Sequence, residues 1–504
     1  MNQRFIPVKI YNTLTRKKEA LQTRIPGEVK FYSCGPTTYD FLHIGNARAL
    51  VVGDLISRIL RQLGYRVTFV RNFTDVDDKI IQRAQENGVD PQQHADRFIQ
   101  ECLFDMKELN MEEPEYRPQV TQTMPEIIAM VEQLLANGTA YEVKGEVLFH
   151  VPSYGDYGML SKMDFEGIQH GRRVEVEAHK RHPADFVLWK PAKEKEPAWS
   201  SPWGPGRPGW HIECSAMAKK FLGDTIDLHH GGVDLIFPHH ENERAQSVMA
   251  NGQDFCAHWC HNEFLNFGLE KMSKSLGNVV TIRDFVEQYS GLVLRMITIM
   301  THYRSKIEWT PQLVSQAVDE VEKIHEFIKE WQQFVAQEKR QTAAEMPSAE
   351  VSAWQQFLKD IQHQFLEELS QDFNTPGALA QVHTLIKKIR RDMTGKTQNY
   401  GVHSSLLDEI ERTIKIFDLS LGLLHADPVG FLDILQQKKK MRLQQNSPHV
   451  ELAADDIIQK LVQERTLMKD QKNWQRADEI RRELKDKKVI LQDHPDGTTT
   501  WKYE

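Results

Sequence analysis

A parallel α/β sheet is the fold class this 504-residue sequence predicts for its first half. Three observations predict it. Val29-Lys30-Phe31-Tyr32-Ser33 is a strand-like apolar run that stops at the turn signal Cys34-Gly35-Pro36. From Asn46 to Leu63, apolar residues fall at Ala47, Leu50, Val51, Leu55, Ile59 and Leu63, which is the spacing of one helix face, and Gly64 stands in the C′ position. Arg66-Val67-Thr68-Phe69-Val70 then reads as a second strand. Strand, helix, strand is a βαβ unit. Its strands run parallel, and its ligands gather at the strands' carboxyl ends.

The later elements follow in order. From about Leu135 to Trp203 the pattern breaks into short strand-like pieces such as Gly145–Phe149, with a proline-rich tract from Pro191 to Pro208; this reads as an insertion between two halves of the sheet. The α/β pattern resumes from Gly209 to Gly277, with Asp224–His229 as a strand. Beyond Ile282 the chain is helical. The polar tracts Gln337–Glu350 and Gln436–Asp456 read as linkers around a helical bundle. The tail, Ile457–Glu504, reads as a charged helix over Lys469–Leu484, a strand at Val489–Leu491 and a turn at Asp496-Gly497.

Composition excludes several classes. The hydrophobic fraction is 40% and the charged fraction 27%, so the chain is not disordered as a whole. No apolar stretch is long enough to span a membrane, and Met1-Asn2-Gln3-Arg4 leads into no secretory h-region. Five cysteines (Cys34, Cys102, Cys214, Cys256, Cys260) cannot build a disulfide framework and fit a reducing, cytoplasmic setting. A net charge of −8 argues against a histone-like binder but leaves RNA open, since charge can be segregated on one face. Seven of the 21 histidines lie between His211 and His261. Such clustering suits either a metal site or a polar surface patch.

Two motifs carry phosphate chemistry. Tyr39–Arg48 contains His43-Ile44-Gly45-Asn46 at the strand-to-helix hand-over, where unpaired N–H groups and the helix dipole attract phosphate. Lys271-Met272-Ser273-Lys274-Ser275, flanked by Gly268 and Gly277, makes a cationic loop able to close on a triphosphate. Taken singly, the first also reads as a structural turn and the second as solvated surface. Found together in one α/β domain, they are far more specific. In the tail, Lys469–Lys488 holds eight basic and five acidic residues around Trp474. That combination suits single-stranded RNA, or a solvated helix whose tryptophan packs in a small core.

His43–Asn46 together with Lys271–Ser275 resembles the signature pair of class I aminoacyl-tRNA synthetases. Ser33–Thr37, Asn72–Lys79, Gly209–Ser215 and Phe237–Glu243 narrow the resemblance to the cysteinyl-tRNA synthetase family, over nearly the whole chain. Asn46 stands where the general motif often has histidine; it is a variant familiar in this family and keeps a hydrogen-bond donor. The resemblance implies a Rossmann-type catalytic domain (1–134 and 209–281) interrupted by a connective insertion (135–208). A stem-contact region (282–336), a helical bundle (350–435) and a small mixed α/β anticodon-binding domain (457–504) follow. It implies catalysis by His43, Asn46, Lys271 and Lys274, and ATP binding by His43, Gly45, Asn46 and Lys274 with Mg2+. Cysteine would be bound by Thr74, Trp210 and His229, and one zinc by Cys34, Cys214, His239 and Glu243. Trp474, Asp478 and Asp493 would contact tRNA(Cys); Lys469 stands where relatives may carry Arg, and lacks its bidentate fork.

Read from the residues alone, Cys34 and Cys214 are equally well small buried hydrophobes, and Thr74, Trp210 and His229 a helix cap, a core aromatic and a buried histidine. Cys256-x3-Cys260-His261 has tighter ligand spacing, but the resemblance does not use it. A zinc site would favour a substrate thiolate over serine's hydroxyl, which makes editing unnecessary; no hydrolytic constellation stands in the insertion. The implied partners are ATP, L-cysteine and tRNA(Cys), with no membrane and a monomeric state. The rival functions are a ligase joining cysteine to an amino sugar and a non-catalytic tRNA-binding paralogue. The tail argues against the first, and intact His43, Lys271 and Lys274 against the second.

Overall fold

The computed structural model describes residues 5–163, 179–194, 196–266, 280–338, 346–394, 401–446, 455–493 and 498–503. A hairpin of β1 (Lys9–Asn12) and β2 (Lys17–Ala20) precedes the first βαβ unit, formed by β3 (Glu28–Ser33), α1 (Ile44–Gln62) and β4 (Arg66–Arg71). Helices α2 (Asp78–Asn87), α3 (Pro91–Glu108) and α4 (Met124–Ala136) follow. The insertion is a four-stranded antiparallel sheet of β5 (Ala140–Val143), β6 (Glu146–Phe149), β7 (Phe186–Pro191) and β8 (Gly206–Pro208). The parallel sheet resumes with α5 (Trp210–Leu222), β9 (Ile226–Gly232), α6 (Glu241–Asn251) and β10 (Cys256–Asn262).

The four central strands lie in the order β10-β9-β3-β4 and are all parallel. Ser33 is level with Arg71 on one side and His230 on the other, so three carboxyl ends share one edge. The chain leaves β3 toward β4, whereas β9 and β10 lie on the other flank. The edge between β3 and β9 is therefore a topological switch point, where such sheets bind ligands.

Helix α1 is buried nearly all round from Leu50 to Leu60. It packs against β4 and β9, and also against α8 (Gly291–Ile299) and α12 (Ser404–Leu421). One apolar core accordingly runs from Val8 through Val51 and Ile59 to Leu358 and Leu435. Polar groups pin the same junction. The buried Arg295 guanidinium pairs with Asp54 at 2.6 Å and donates to the Leu421 carbonyl at 2.6 Å and the Leu109 carbonyl at 3.2 Å. Arg58 approaches Asp54 at 2.9 Å. Burial works against the Asp54 carboxylate, but the two guanidiniums outweigh it and hold its pKa below the usual value.

Between the sheet and the bundle lie β11 (Leu265–Asn266), α7 (Ile282–Gln288) and β12 (Ile307–Glu308), with α8 between the last two. The long helices are α9 (Pro311–Glu338), α10 (Ser348–Ser370), α11 (Thr375–Ile389), α12 and α13 (Pro428–Asn446). The tail has its own core of Ile458, Val462, Ile480, Leu484, Val489 and Tyr503, built from α14 (Asp455–Asp470), α15 (Trp474–Asp486), β13 (Val489–Asp493) and β14 (Thr499–Tyr503).

Two sequence readings need correction. The polar tract from Gln436 is not a linker at its start: α13 continues through Asn446. Lys439, buried on that helix, forms a 3.0 Å ion pair with the buried Glu322 of α9. The charged helix over Lys469–Leu484 is in fact two helices. The chain turns at Gln471–Asn473, where Lys472 takes a φ of 58° and Asn473 caps α15 by accepting from the Arg476 amide at 3.3 Å.

Candidate metal and substrate site

The switch point assembles the site. Cys34 follows β3 directly, and its amide donates to the His230 carbonyl of β9 at 3.2 Å. Next to it, Gly35 allows the close passage of the β4 end: a Cβ there would meet the Asn72 carbonyl oxygen at 1.6 Å. Cys214 comes from α5, and His239 and Glu243 from either side of the start of α6. The ligand atoms of Cys34, Cys214, His239 and Glu243 all lie within 4.8 Å of one another. His239 Nε2 and Glu243 Oε1 are 2.9 Å apart, and the Cys34 thiol reaches the same oxygen at 3.5 Å. Two sulfurs, an imidazole and a carboxylate form a donor set of the kind zinc takes. Cys34, His229, His240 and Glu243 form a second grouping within the same limit.

Electrostatics prepare these donors. Burial opposes charge on Glu243, yet His229 and His239 prevail and hold its carboxyl at about 2. Burial likewise disfavours a charged His239, but Glu243 and Cys214 push it up to about 10. A hydrogen bond from Cys34 lowers Cys214 to about 6, while burial first and then that same bond raise Cys34. One thiol therefore yields its proton readily and the other keeps it.

Of the three residues expected in a cysteine pocket, His229 and Trp210 touch this cluster and Thr74 touches Glu213, the neighbour of Cys214. His229 is fully buried, reaches Glu243 Oε2 at 3.0 Å through Nε2 and stacks on Trp259 at 4.7 Å. Trp210 is not a core aromatic: it is 41% exposed and stacks on His239 at 4.3 Å. Nor does Thr74 cap a helix. Asp77 caps α2, and the Thr74 hydroxyl donates to Glu213 Oε2 at 3.4 Å. Residue-by-residue reading missed His211, 2.9 Å from His239, and His240, 2.8 Å from His261, which it had weighed only with the rival set. Burial lowers the pKa of all three, first among the causes. The histidine density between 211 and 261 was the signal that could have found them. The rival set does not assemble: among the described residues neither metal-competent grouping includes Cys256 or Cys260, whose thiols burial pushes up.

The phosphate motif shows why its residue types recur together. His43 is the N-cap of α1. Its Nδ1 accepts from the Asn46 amide at 3.2 Å, and Asn46 Oδ1 accepts from the His43 amide at 3.1 Å, a reciprocal capping box. Gly45 leaves room for the imidazole, since a Cβ would meet His43 Nδ1 at 2.9 Å. Lys271 and Lys274 lie outside the described residues. The chain after them is anchored to this motif: the Ile44 amide donates to Val280 at 3.1 Å and the Ile282 amide to Leu42 at 2.8 Å.

In the tail, Trp474 is 60% exposed at the start of α15, and Asp478 lies one turn further along. Asp493, at the end of β13, is engaged within the chain. Arg465 grips it with two nitrogens at 2.7 and 2.9 Å, and Lys469 approaches at 3.1 Å. Among the described residues, no helix is long and apolar enough to cross a membrane.

Comparison with known proteins places the chain in a family. The family described as "tRNA synthetases class I (C) catalytic domain" matches residues 20–319, and the DALR domain family matches residues 364–425. The chain is 43% identical to the "Cysteine--tRNA ligase" of Geobacter sulfurreducens over 98% of its own length and 99% of the relative's. Its identity to the protein of that name from Geotalea uraniireducens is 41%, with 98% and 99% covered. The fold is similar to a Mycobacterium tuberculosis methionyl-tRNA synthetase in complex with methionyl-adenylate, with a TM-score of 0.56 at 14% identity, covering 82% of this chain and 93% of that one. An Agrobacterium radiobacter LeuRS–tRNA–LeuAMS complex gives a TM-score of 0.57 at 11% identity, covering 83% and 86%.

Proposed function

We propose that this chain, which belongs to the cysteine–tRNA ligase family of class I synthetases, activates L-cysteine with ATP and transfers it to tRNA(Cys). The observation that carries this reading is the convergence of Cys34, Cys214, His239 and Glu243 at the switch point beside the His43 capping box. Held by those four residues, a zinc ion would supply a soft acceptor suited to a thiolate and poorly suited to a hydroxyl. His229 and Thr74 line the pocket, and Trp210 covers it. The substrate carboxylate attacks the α-phosphate of Mg2+-bound ATP, and pyrophosphate leaves. His43 and Asn46, with Gly45 allowing close approach, steady the phosphate charge from the α1 N-terminus, and Lys271 and Lys274 of the second signature add their charge to it. The terminal adenosine hydroxyl of the tRNA then attacks the adenylate. Trp474, Asp478 and Asp493 read the anticodon from the tail, and the protein works as a cytoplasmic monomer.

The test is ATP–pyrophosphate exchange with cysteine, serine and methionine, before and after metal stripping, followed by tRNA charging. Exchange with cysteine alone, lost on stripping and restored by zinc, is expected. The absence of exchange by the zinc-loaded protein would refute the reading. Lys274→Ala should depress adenylate formation more than tRNA binding.

A further inference from the structure

The pocket holds a carboxylate without a cation. Glu213 is 2% exposed, and its one hydrogen bond among the described residues comes from the Thr74 hydroxyl at 3.4 Å. No lysine or arginine pairs with it among those residues. The cations near this segment are taken: Lys190 at 2.9 Å and Arg207 both bind Asp78. The acids that follow Thr74 are satisfied locally, Asp75 by the Thr121 amide at 3.0 Å and Asp77 by the Lys79 amide at 2.9 Å. A buried acid with one long hydrogen bond and no cation either keeps its proton or takes a positive ligand.

Its position states which ligand. On α5, residues three and four apart share a face, so Trp210, Glu213 and Cys214 fall on one face of the helix. Thr74, just beyond the end of β4, meets this face through its hydrogen bond to Glu213. Resting on the reading above, we propose that Glu213 receives the α-ammonium group of the amino-acid substrate, while the thiol goes to the Cys34–Cys214 cluster beside it. The two groups of one small molecule are thus read by adjacent residues of a single helix turn. Specificity then has two parts: sulfur chemistry at Cys214 and a required ammonium at Glu213.

The experiment measures equilibrium binding of L-cysteine and of 3-mercaptopropionate, which has the thiol and carboxylate but no ammonium. Wild-type, Glu213→Gln and Glu213→Asp proteins are compared, each with its zinc content and melting temperature. Wild type should prefer cysteine. Glu213→Gln should weaken cysteine about 30-fold or more, leave mercaptopropionate within about twofold, and keep its zinc. Glu213→Asp should recover part of the preference. Equal weakening of both ligands, or unchanged cysteine affinity in Glu213→Gln, would overturn the proposal. If the Gln variant does not fold, wild type alone decides: mercaptopropionate binding as tightly as cysteine overturns it. Wild-type pyrophosphate exchange with cysteine separates the two readings. With exchange intact and the preference surviving Glu213→Gln, the Glu213 assignment alone fails. With no exchange, the activity fails and takes this inference with it.

Discussion

Replacing Arg295 with Met should uncouple the signature helix from the bundle, and its cost can be worked from the contacts. Methionine fills most of the aliphatic volume, so the cavity term is small. What is lost is a 2.6 Å ion pair to a buried carboxylate and two charged donors to the carbonyls of Leu421 and Leu109. Breaking one side of a buried pair costs about 3–5 kcal/mol. The lower end applies, because Arg58 stays 2.9 Å from Asp54 and the Glu112 amide donates to it at 2.8 Å. Each of the two deprived carbonyls adds about 1 kcal/mol, so the total is about 5 kcal/mol at pH 7. Asp54 has a lowered folded-state pKa, so its contribution is present above its unfolded value of about 3.9 and fades as pH falls through that value toward the folded one. The gap between wild type and variant should therefore narrow below about pH 4. Urea unfolding across pH, followed by circular dichroism, reads both effects. In Asp54→Asn/Arg295→Met the two costs should sum to less than the separate losses. A cost under about 1 kcal/mol at pH 7, or a gap that stays constant to pH 3, would refute the reasoning.

Three further outcomes are expected. Cys214→Ala should lose stoichiometric zinc and cysteine-dependent exchange, whereas Cys256→Ala keeps both; metal analysis of the two variants checks this, and zinc retention by Cys214→Ala would contradict the ligand set. Gly45→Ala places a methyl group against His43 Nδ1, so the ring must swing and the cap weakens by about 1 kcal/mol; melting temperature and the KM for ATP should both worsen, and an unchanged KM would separate His43 from the phosphates. Trp474→Ala removes an exposed ring, so stability should stay within about 0.5 kcal/mol while tRNA affinity falls about tenfold; undiminished tRNA binding in a gel-shift titration would take the tryptophan out of the RNA contact.

The βαβ unit was legible because its strands are continuous apolar runs and its helix keeps a 3.6-residue period. The helix begins two residues before Asn46, at Ile44, since its cap is a histidine and histidine is not a usual capping residue. The tract from Gln436 misled for a different reason. Gln436-Gln437-Lys438-Lys439-Lys440 has no apolar stripe, and the helix persists there because Lys439 finds Glu322 from a helix 117 positions away. Sequence pattern reports local period; it does not report a buried ion pair closed by tertiary structure. The break at Gln471–Asn473 was visible in principle, since Asn is a strong cap, but the surrounding charges carry a helical composition across it.

The metal cluster shows the same limit more sharply. Cys34 and Cys214 are 180 positions apart, and no spacing rule joins them; only the family resemblance named them as partners. The fold explains how they meet. Cys34 is placed by β3, whose carboxyl end borders β9 at the switch point. Cys214 is placed by α5, and α5 is aimed by the insertion. Strand β8 ends at Pro208, the Gly209 amide donates to Leu188 of β7 at 2.8 Å, and the helix begins at Trp210. The insertion is therefore more than an interruption of the sheet: it fixes the axis and start of the helix that presents Trp210, Glu213 and Cys214. Half of the site rides on the parallel sheet and half on a helix oriented by the antiparallel one. That arrangement lets residues far apart in sequence hold ligand atoms within 4.8 Å of one another, while the same β3 end passes onward to the His43 cap.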